Sequence, residues 1–349
     1  MIKAAIVGIG HIAKLHFLSL KKMGIDIIGV VDSNLKKWEE VKKHWHIDRC
    51  YASLKELLSE NSVDVVHICT PPQSHYAIAL DALSAGCNLI IEKPITLSFK
   101  EAKHLFDLAQ QKHVRIFQVE NFLFHPCVLR ARQLIDTDEF GQVKYIHIYW
   151  RIPTYLKGEI PQWMKNLPGK QFAEVCMHPI YIALAFVKGS INKAHVNILA
   201  DNYHNIDTLT ILLQSAFTMG VITLSKKMTN PAIINIMSEK ATISINVENN
   251  SFIMQKNYTD NLYSKFALNI TTSVQLLGSL FSTALSYILG KFKEGYHFNF
   301  INSVYNAIIK GYQGPIGVDH ILSSIRIYEM ALLEMYRAEN PNRYYDSEL

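Results

Sequence analysis

The stretch KAAIVGIGHIA, residues 3–13, decides the fold. Lys3–Val7 is a short apolar, β-rich run, and it passes directly into Gly8-Ile9-Gly10-His11-Ile12-Ala13, which opens a helical pattern over His11–Met23. Gly8 permits a tight turn and Gly10 lets backbone approach a bound group closely. Ala13 stands in place of a third glycine and still lets the helix pack closely on its strand. A pyrophosphate on such a turn meets the N–H groups of a helix N-terminus, where the helix dipole favours negative charge. A glycine turn alone is weak; strand, turn and helix in this order make Gly8, Ile9, Gly10, His11 and Ile12 candidates for holding a dinucleotide.

The pattern around that turn repeats. Strand-like runs at 3–7, 26–31, 49–51, 63–69, 88–91 and 115–119 alternate with helix-like stretches at 11–23, 35–44, 53–60, 74–85 and 98–112. Ser53, Ser74 and Ser98 stand where helix caps are needed, and Glu101 follows Ser98 by three. This alternation predicts an α/β fold, a doubly wound parallel Rossmann sheet, over residues 1–122. Asp32 ends the second strand, where a carboxylate accepts hydrogen bonds from ribose hydroxyls and repels a 2′-phosphate. NAD is therefore favoured; Lys36 and Lys37 keep NADP open, and capping of the helix at 35–44 is the competing role for Asp32. Thr70-Pro71-Pro72 follows the buried fourth strand at the edge where a cofactor lies. His75, opening the next helix, is either a cofactor contact or a surface histidine.

From residue 123 the pattern changes. A helix at 128–135, a strand at 143–151 and a proline-punctuated stretch precede a helical segment at 174–187. Strand-like runs follow at 194–200, 208–214, 216–224, 233–238 and 242–247, then helices at roughly 266–290, 296–310 and 319–338. Residues 123–349 are expected to form an α+β domain with an open mixed sheet.

The 349 residues carry 35 Lys and Arg against 30 Asp and Glu, a formal charge of +5. That excess is scattered and too small to argue for nucleic acid. Five cysteines without a CxxC pair indicate neither a disulfide framework nor a zinc site, and no metal is expected. The first residues read as a buried strand and not as a signal peptide, so a reducing cytoplasm is the expected compartment.

The fifth strand ends Ile90-Ile91-Glu92-Lys93-Pro94. A lysine there is badly placed for solvent and well placed to stabilise an alkoxide. Together with Gly8–Ala13, Asp32 and Thr70–Pro72, this stretch resembles the Gfo/Idh/MocA family, in order and spacing over residues 1–125 and more loosely beyond. The resemblance implies a Rossmann domain and a second domain whose open sheet forms an oligomer interface, giving a homodimer or homotetramer. It implies hydride exchange between a nicotinamide cofactor and a sugar-like small molecule, a sugar, cyclitol or nucleotide sugar. Lys93 is then catalytic, with Glu92 and Asn121 beside the cofactor and a cis bond before Pro94. The family's second motif, an acid four residues before a histidine, falls on Glu174-Val175-Cys176-Met177-His178. On a helix those two side chains share a face, so His178 is the expected proton acceptor and Glu174 its partner, both near the substrate. Tyr155 and Trp163, in the stretch before, are candidates to cover a sugar ring. Departures stand out: Cys176 replaces a glycine, Tyr181 stands where an acid is common, and Pro168-Gly169-Lys170 replaces a glycine pair. They leave open an imine or tetrapyrrole reductase and a non-catalytic cofactor-binding subunit.

Residues 266–290 contain no charge. Ile270, Val274, Leu277 and Phe281 repeat at helical spacing beside a stripe formed by Thr272, Gln275 and Ser279. Peripheral contact with a membrane is one reading; burial within the domain or at an oligomer interface is preferred.

Overall fold

The computed structural model describes residues 2–135, 137, 140–153, 160–201, 205–228, 232–256, 262–288 and 295–341. Among these, six strands form one all-parallel sheet: β1 (Lys3–Val7), β2 (Asp26–Val31), β3 (Cys50–Tyr51), β4 (Val65–Ile68), β5 (Asn88–Ile91) and β6 (Ile116–Gln118). Their order is β3-β2-β1-β4-β5-β6. Helices α1 (His11–Met23), α2 (Lys36–Trp45), α3 (Leu54–Glu60), α4 (His75–Ser84) and α5 (Phe99–Gln111) are the crossovers that parallel strands require. β4, VVHI, is buried along its whole length, so it shows no polar alternation. The order reverses between β1 and β4, and the crevice beyond their carboxyl ends is where such sheets bind ligands. The expected elements of this half match those observed to within a residue or two. Of the three serines, Ser53 accepts a hydrogen bond from Glu56 N–H as a cap, whereas Ser74 donates instead to Thr70 Oγ1 and Pro71 O.

The chain then forms α6 (Pro126–Ile135), β7 (Val143–Arg151), α7 (Gln162–Lys165), α8 (Gln171–Phe186), β8 (Lys193–Ala200), β9 (Ile206–Gln214) and β10 (Met219–Ser225). β11 (Ile233–Ser238), β12 (Ala241–Asn246), β13 (Ser251–Lys256), α9 (Leu262–Ile288), α10 (Gly295–Lys310) and α11 (Val318–Glu339) complete it. The second sheet has the order β13-β12-β11-β7-β10-β9-β8. Its centre is a parallel pair, β7 with β10, and every other pairing is antiparallel. β13 lies beyond the last strand read from the sequence. α8 packs on β7 and β10, burying Phe172, Met177, Ile180 and Phe186.

Two compact units result: Met1–Asn121 with Tyr296–Arg326, and Phe122–Gly295 with Ile327–Leu349. A single cut after residue 122 therefore does not describe them, because α10 and the start of α11 pack with the first unit. The reason is local chemistry. α10 buries Phe300, Ile301, Val304 and Tyr305. The Arg115 guanidinium, just before β6, donates to the carbonyls of Ala307 at 3.0 Å and Ile308 at 3.2 Å in the last turn of α10 and of Tyr312 at 2.7 Å just beyond it.

α9 corrects one half of the preferred reading of residues 266–290, burial within the domain. Its polar stripe faces β13 and its apolar stripe faces outward: Ile270, Val274 and Leu277 are all more than half exposed, and Phe281 is 77% exposed. It is not buried within its own unit, and no helix among the described residues is long and apolar enough to cross a membrane.

Candidate functional site

In the first unit the glycine turn is shaped by its neighbours. Gly8 has φ +90°, and a Cβ there would lie 2.7 Å from Thr70 Cγ2 and 2.9 Å from the Cys69 carbonyl carbon. Only glycine fits, because backbone from the end of β4 passes directly against it. Gly10 caps α1 in extended conformation and is exposed; the nearest atom to a Cβ there is the Cys69 oxygen at 4.0 Å. One glycine is locked by the protein and the other left open in front of a helix N-terminus whose first N–H groups have no partner within the helix. That cradle fits a pyrophosphate.

Asp32 reaches back to the same turn. Its Oδ2 accepts from Ile9 N–H at 2.8 Å and from Lys37 Nζ at 2.9 Å, and its Oδ1 accepts from Asn34 N–H at 2.9 Å. Burial pushes this carboxyl up, but the Ile9 and Lys37 hydrogen bonds outweigh it and hold the group below its ordinary value. Asp32 does not cap α2; it ties the turn to the end of β2. Lys37 sets a cation where the adenosine ribose would lie, so the carboxylate's repulsion of a 2′-phosphate is partly offset.

Thr70, Pro71 and Pro72 line the same carboxyl edge. His75 corrects both of its expected roles. It is neither on the surface nor available to a cofactor: the ring is buried, with Nδ1 2.8 Å from Pro94 O and Nε2 2.7 Å from Thr70 O. It fastens the loop after β4 to the loop after β5. The Lys93–Pro94 peptide is cis, as the resemblance implied. Glu92 also departs from expectation, since its carboxylate turns inward: Oε1 lies 3.0 Å from His16 Nε2 and 3.6 Å from His297 Nε2, and Oε2 accepts from Lys93 N–H at 3.3 Å. Lys93 is half-buried at the end of β5, and Asn121 closes the segment after β6. A buried series that sequence reasoning missed stands behind these loops. Gln118 Oε1 accepts from Ile95 N–H at 3.1 Å, Gln118 Nε2 donates to Glu120 Oε1 at 2.8 Å, and Glu120 Oε2 lies 2.9 Å from His320 Nε2.

In the second unit, Glu174 and His178 lie four residues apart on α8, both half-buried on a largely buried helix. The His178 ring is packed edge-on against Phe122, with centroids 4.8 Å apart, and its Nδ1 lies 2.9 Å from the Tyr181 hydroxyl. Tyr181 is buried and also accepts from Phe122 N–H at 3.3 Å. Tyr181 was visible in the sequence only as a departure; here it orients the histidine. Trp163 is half-buried on α7, and Tyr155 lies outside the described residues. The glycine pair's replacement has a structural trace: Gly169 has φ +70° with Met335 Sδ where a Cβ would be, and Lys170, at φ +51° and ψ −106°, occupies backbone space that suits glycine.

Comparison with known proteins agrees with this geometry. Residues 2–120 match the family described as an oxidoreductase family with an NAD-binding Rossmann fold. An uncharacterized oxidoreductase of Synechocystis is 32% identical over 149 residues, 42% of this chain and 40% of its own length. UDP-N-acetylglucosamine 3-dehydrogenase of Acidithiobacillus ferrooxidans is 32% identical over 144 residues, 41% of this chain and 44% of its own length. The chain thus spans less than half of either relative. Over nearly the whole chain the fold is that of the Acidithiobacillus enzyme's crystal structure, with TM-score 0.74, 20% identity and coverage of 95% and 97%. A Bordetella pertussis dehydrogenase, WlbA, solved with NADH and UDP-GlcNAcA, gives TM-score 0.74 at 18% identity, covering 97% and 96%.

Proposed function

We propose, from the match of residues 2–120 to an oxidoreductase family with an NAD-binding Rossmann fold, that the chain is an NAD(P)-dependent oxidoreductase of the Gfo/Idh/MocA type acting on a hydroxyl or ketone of a sugar or nucleotide sugar. The observation that carries this reading is the turn at the β1/β4 switch point: Gly8 is locked against Cys69 and Thr70, Gly10 is open, and Ile9 is tied to Asp32. The nucleotide-sugar class is supported by the 32% identity to UDP-N-acetylglucosamine 3-dehydrogenase. NAD is our choice of cofactor from Asp32, with Lys37 leaving NADP open. When bound, the nicotinamide donates or accepts the hydride.

The chain's own groups do the rest. Lys93 is assigned the charge stabilisation: its ammonium lowers the cost of negative charge on the substrate oxygen. His178 is assigned the proton, which it takes from the hydroxyl in oxidation and returns in reduction, with Tyr181 setting its orientation. Glu174 and Trp163 are assigned to substrate contacts. The exposed Leu199, Leu212 and Met219 on β8–β10 support self-association as a homodimer or homotetramer through the open sheet. Cys50, Cys69, Cys87 and Cys127 are thiols without disulfide partners, which supports a cytoplasmic setting.

Nicotinamide absorbance followed with NAD⁺ or NADP⁺ across a panel of UDP-sugars tests this. We expect turnover of at least one, and a fall in kcat of about 10²–10⁴ in His178→Ala. Turnover undiminished in that variant removes the proton assignment. Tight NADH binding with no turnover of any sugar removes the enzyme reading in favour of a binding subunit.

A further inference from the structure

The first unit contains a buried imidazole cluster that the proposed reaction does not use. His16 on α1, Glu92 just after β5 and His297 on α10 each offer one donor atom, and these atoms all lie within 4.8 Å of one another. His16 is fully buried, His297 is 1% exposed and Glu92 is 8% exposed. Neither ring nitrogen of His297 has a hydrogen-bond partner, although the ring sits 3.6 Å from a carboxylate oxygen. A buried imidazole N–H without an acceptor costs stability, and so does a buried carboxylate without enough donors around it.

We propose that His16, Glu92 and His297 bind a divalent transition-metal cation of the zinc class, which fastens α10 to the parallel sheet. Two imidazoles and a carboxylate are a zinc-type donor set. Bonds of about 2.0–2.1 Å in a tetrahedral site separate neighbouring donors by roughly 3.3 Å. The two distances from Glu92 Oε1, 3.0 Å to His16 Nε2 and 3.6 Å to His297 Nε2, bracket that value.

The surrounding hydrogen bonds have the form of an outer ligand shell. His16 Nδ1 lies 2.7 Å from His67 Nδ1, and His67 Nε2 lies 2.9 Å from the Tyr305 hydroxyl. With the cation on His16 Nε2, His16 Nδ1–H donates to His67 Nδ1 and His67 Nε2–H donates to Tyr305. Both imidazole protons in that series then have acceptors, and the His16 ring is held in its ligating tautomer. Because the site is closed, the cation enters as the chain folds, and its binding appears as folding stability.

The test uses the whole chain, freed of any affinity tag, unfolded with chelator and refolded with or without Zn²⁺ or Co²⁺. We expect one equivalent of tightly held metal, a higher Tm in its presence, and visible absorption bands of tetrahedral Co²⁺. His297→Ala should abolish all three. Tyr305→Phe, which keeps the ligands and the packing, should weaken Co²⁺ binding by roughly tenfold or more. If His297→Ala does not refold, Tyr305→Phe alone decides. Metal retained equally by both variants belongs to surface histidines and overturns the site, as does a wild-type chain that refolds to the same Tm without metal and shows no Co²⁺ bands.

Discussion

Lys170 is a residue in a conformation that its side chain does not favour: φ +51° and ψ −106° at the start of α8, next to Gly169 at φ +70°. Such a backbone costs about 1–3 kcal/mol for a residue with a Cβ. Replacing Lys170 by Gly is expected to raise the thermal midpoint, since relief of strain exceeds the entropy glycine adds to the unfolded chain. Calorimetry of the variant checks this; an unchanged or lower midpoint means that the lysine side chain contributes more than its backbone costs. His125 concerns the pH axis. Burial pushes it down to about 4, against a hydrogen bond involving the Val247 backbone. Below pH ~6.5 the unfolded chain takes up a proton that the folded chain refuses, so stability falls between about pH 6.5 and 4, by roughly 3 kcal/mol at most from this group. His125→Gln is expected to flatten that part of the stability curve measured by urea unfolding. At this scale the sequence was legible where backbone demand selects glycine, as at Gly8, and where a strand end places Asp32. It was not legible at His75 or Glu92. Their residue types suit a cofactor as well as they suit a loop carbonyl or an imidazole, and only the tertiary neighbours choose.

At the scale of an element, α9 inverts the usual arrangement of a surface helix. Gln275 Oε1 accepts from Met254 N–H at 2.7 Å while its Nε2 donates to Met254 O at 3.1 Å, so one side chain serves both groups that a further strand would have paired. Ser279 accepts from Phe252 N–H at 3.4 Å, Thr272 accepts from Gln255 Nε2 at 3.1 Å, and Thr283 donates to Asn249 O at 2.8 Å. The helix covers the edge of the sheet at β13, which would otherwise offer its N–H and C=O groups to another chain. Gln275→Ala is expected to cost about 1–3 kcal/mol and to speed hydrogen exchange at Met254. Unaltered exchange at that amide would show that water replaces the glutamine without loss. Periodicity revealed both stripes in the sequence, but not which faces inward. The rule that apolar residues turn inward fails where the surface to be covered is a row of backbone polar groups.

For the whole molecule, the sequence disclosed the first sheet completely, because each strand there but the last is followed by its own crossover helix. The assignment of α10 was hidden, since His297 and Tyr305 find their partners at residues 16, 67 and 92, far back along the chain, and no local pattern records such a return. Arg115 is the accessible probe of that return. Arg115→Ala removes the donors to three carbonyls at the end of α10 and is expected to lower stability by about 1–3 kcal/mol, with amides of α10 and β1 losing protection together. Loss confined to α10 would mean that the helix frays without weakening the sheet. The central strand of the second sheet carries a different consequence. β7 is made first but pairs with β10 and β11, which begin at residues 219 and 233. On the ribosome it must therefore wait with both edges unsatisfied until residue 219 and beyond have left the exit tunnel. The β8–β9 hairpin meanwhile closes by itself. Nascent chains arrested before that point present a long β-prone segment to chaperones and to one another, and folding yield in the cell depends on how quickly translation covers that gap.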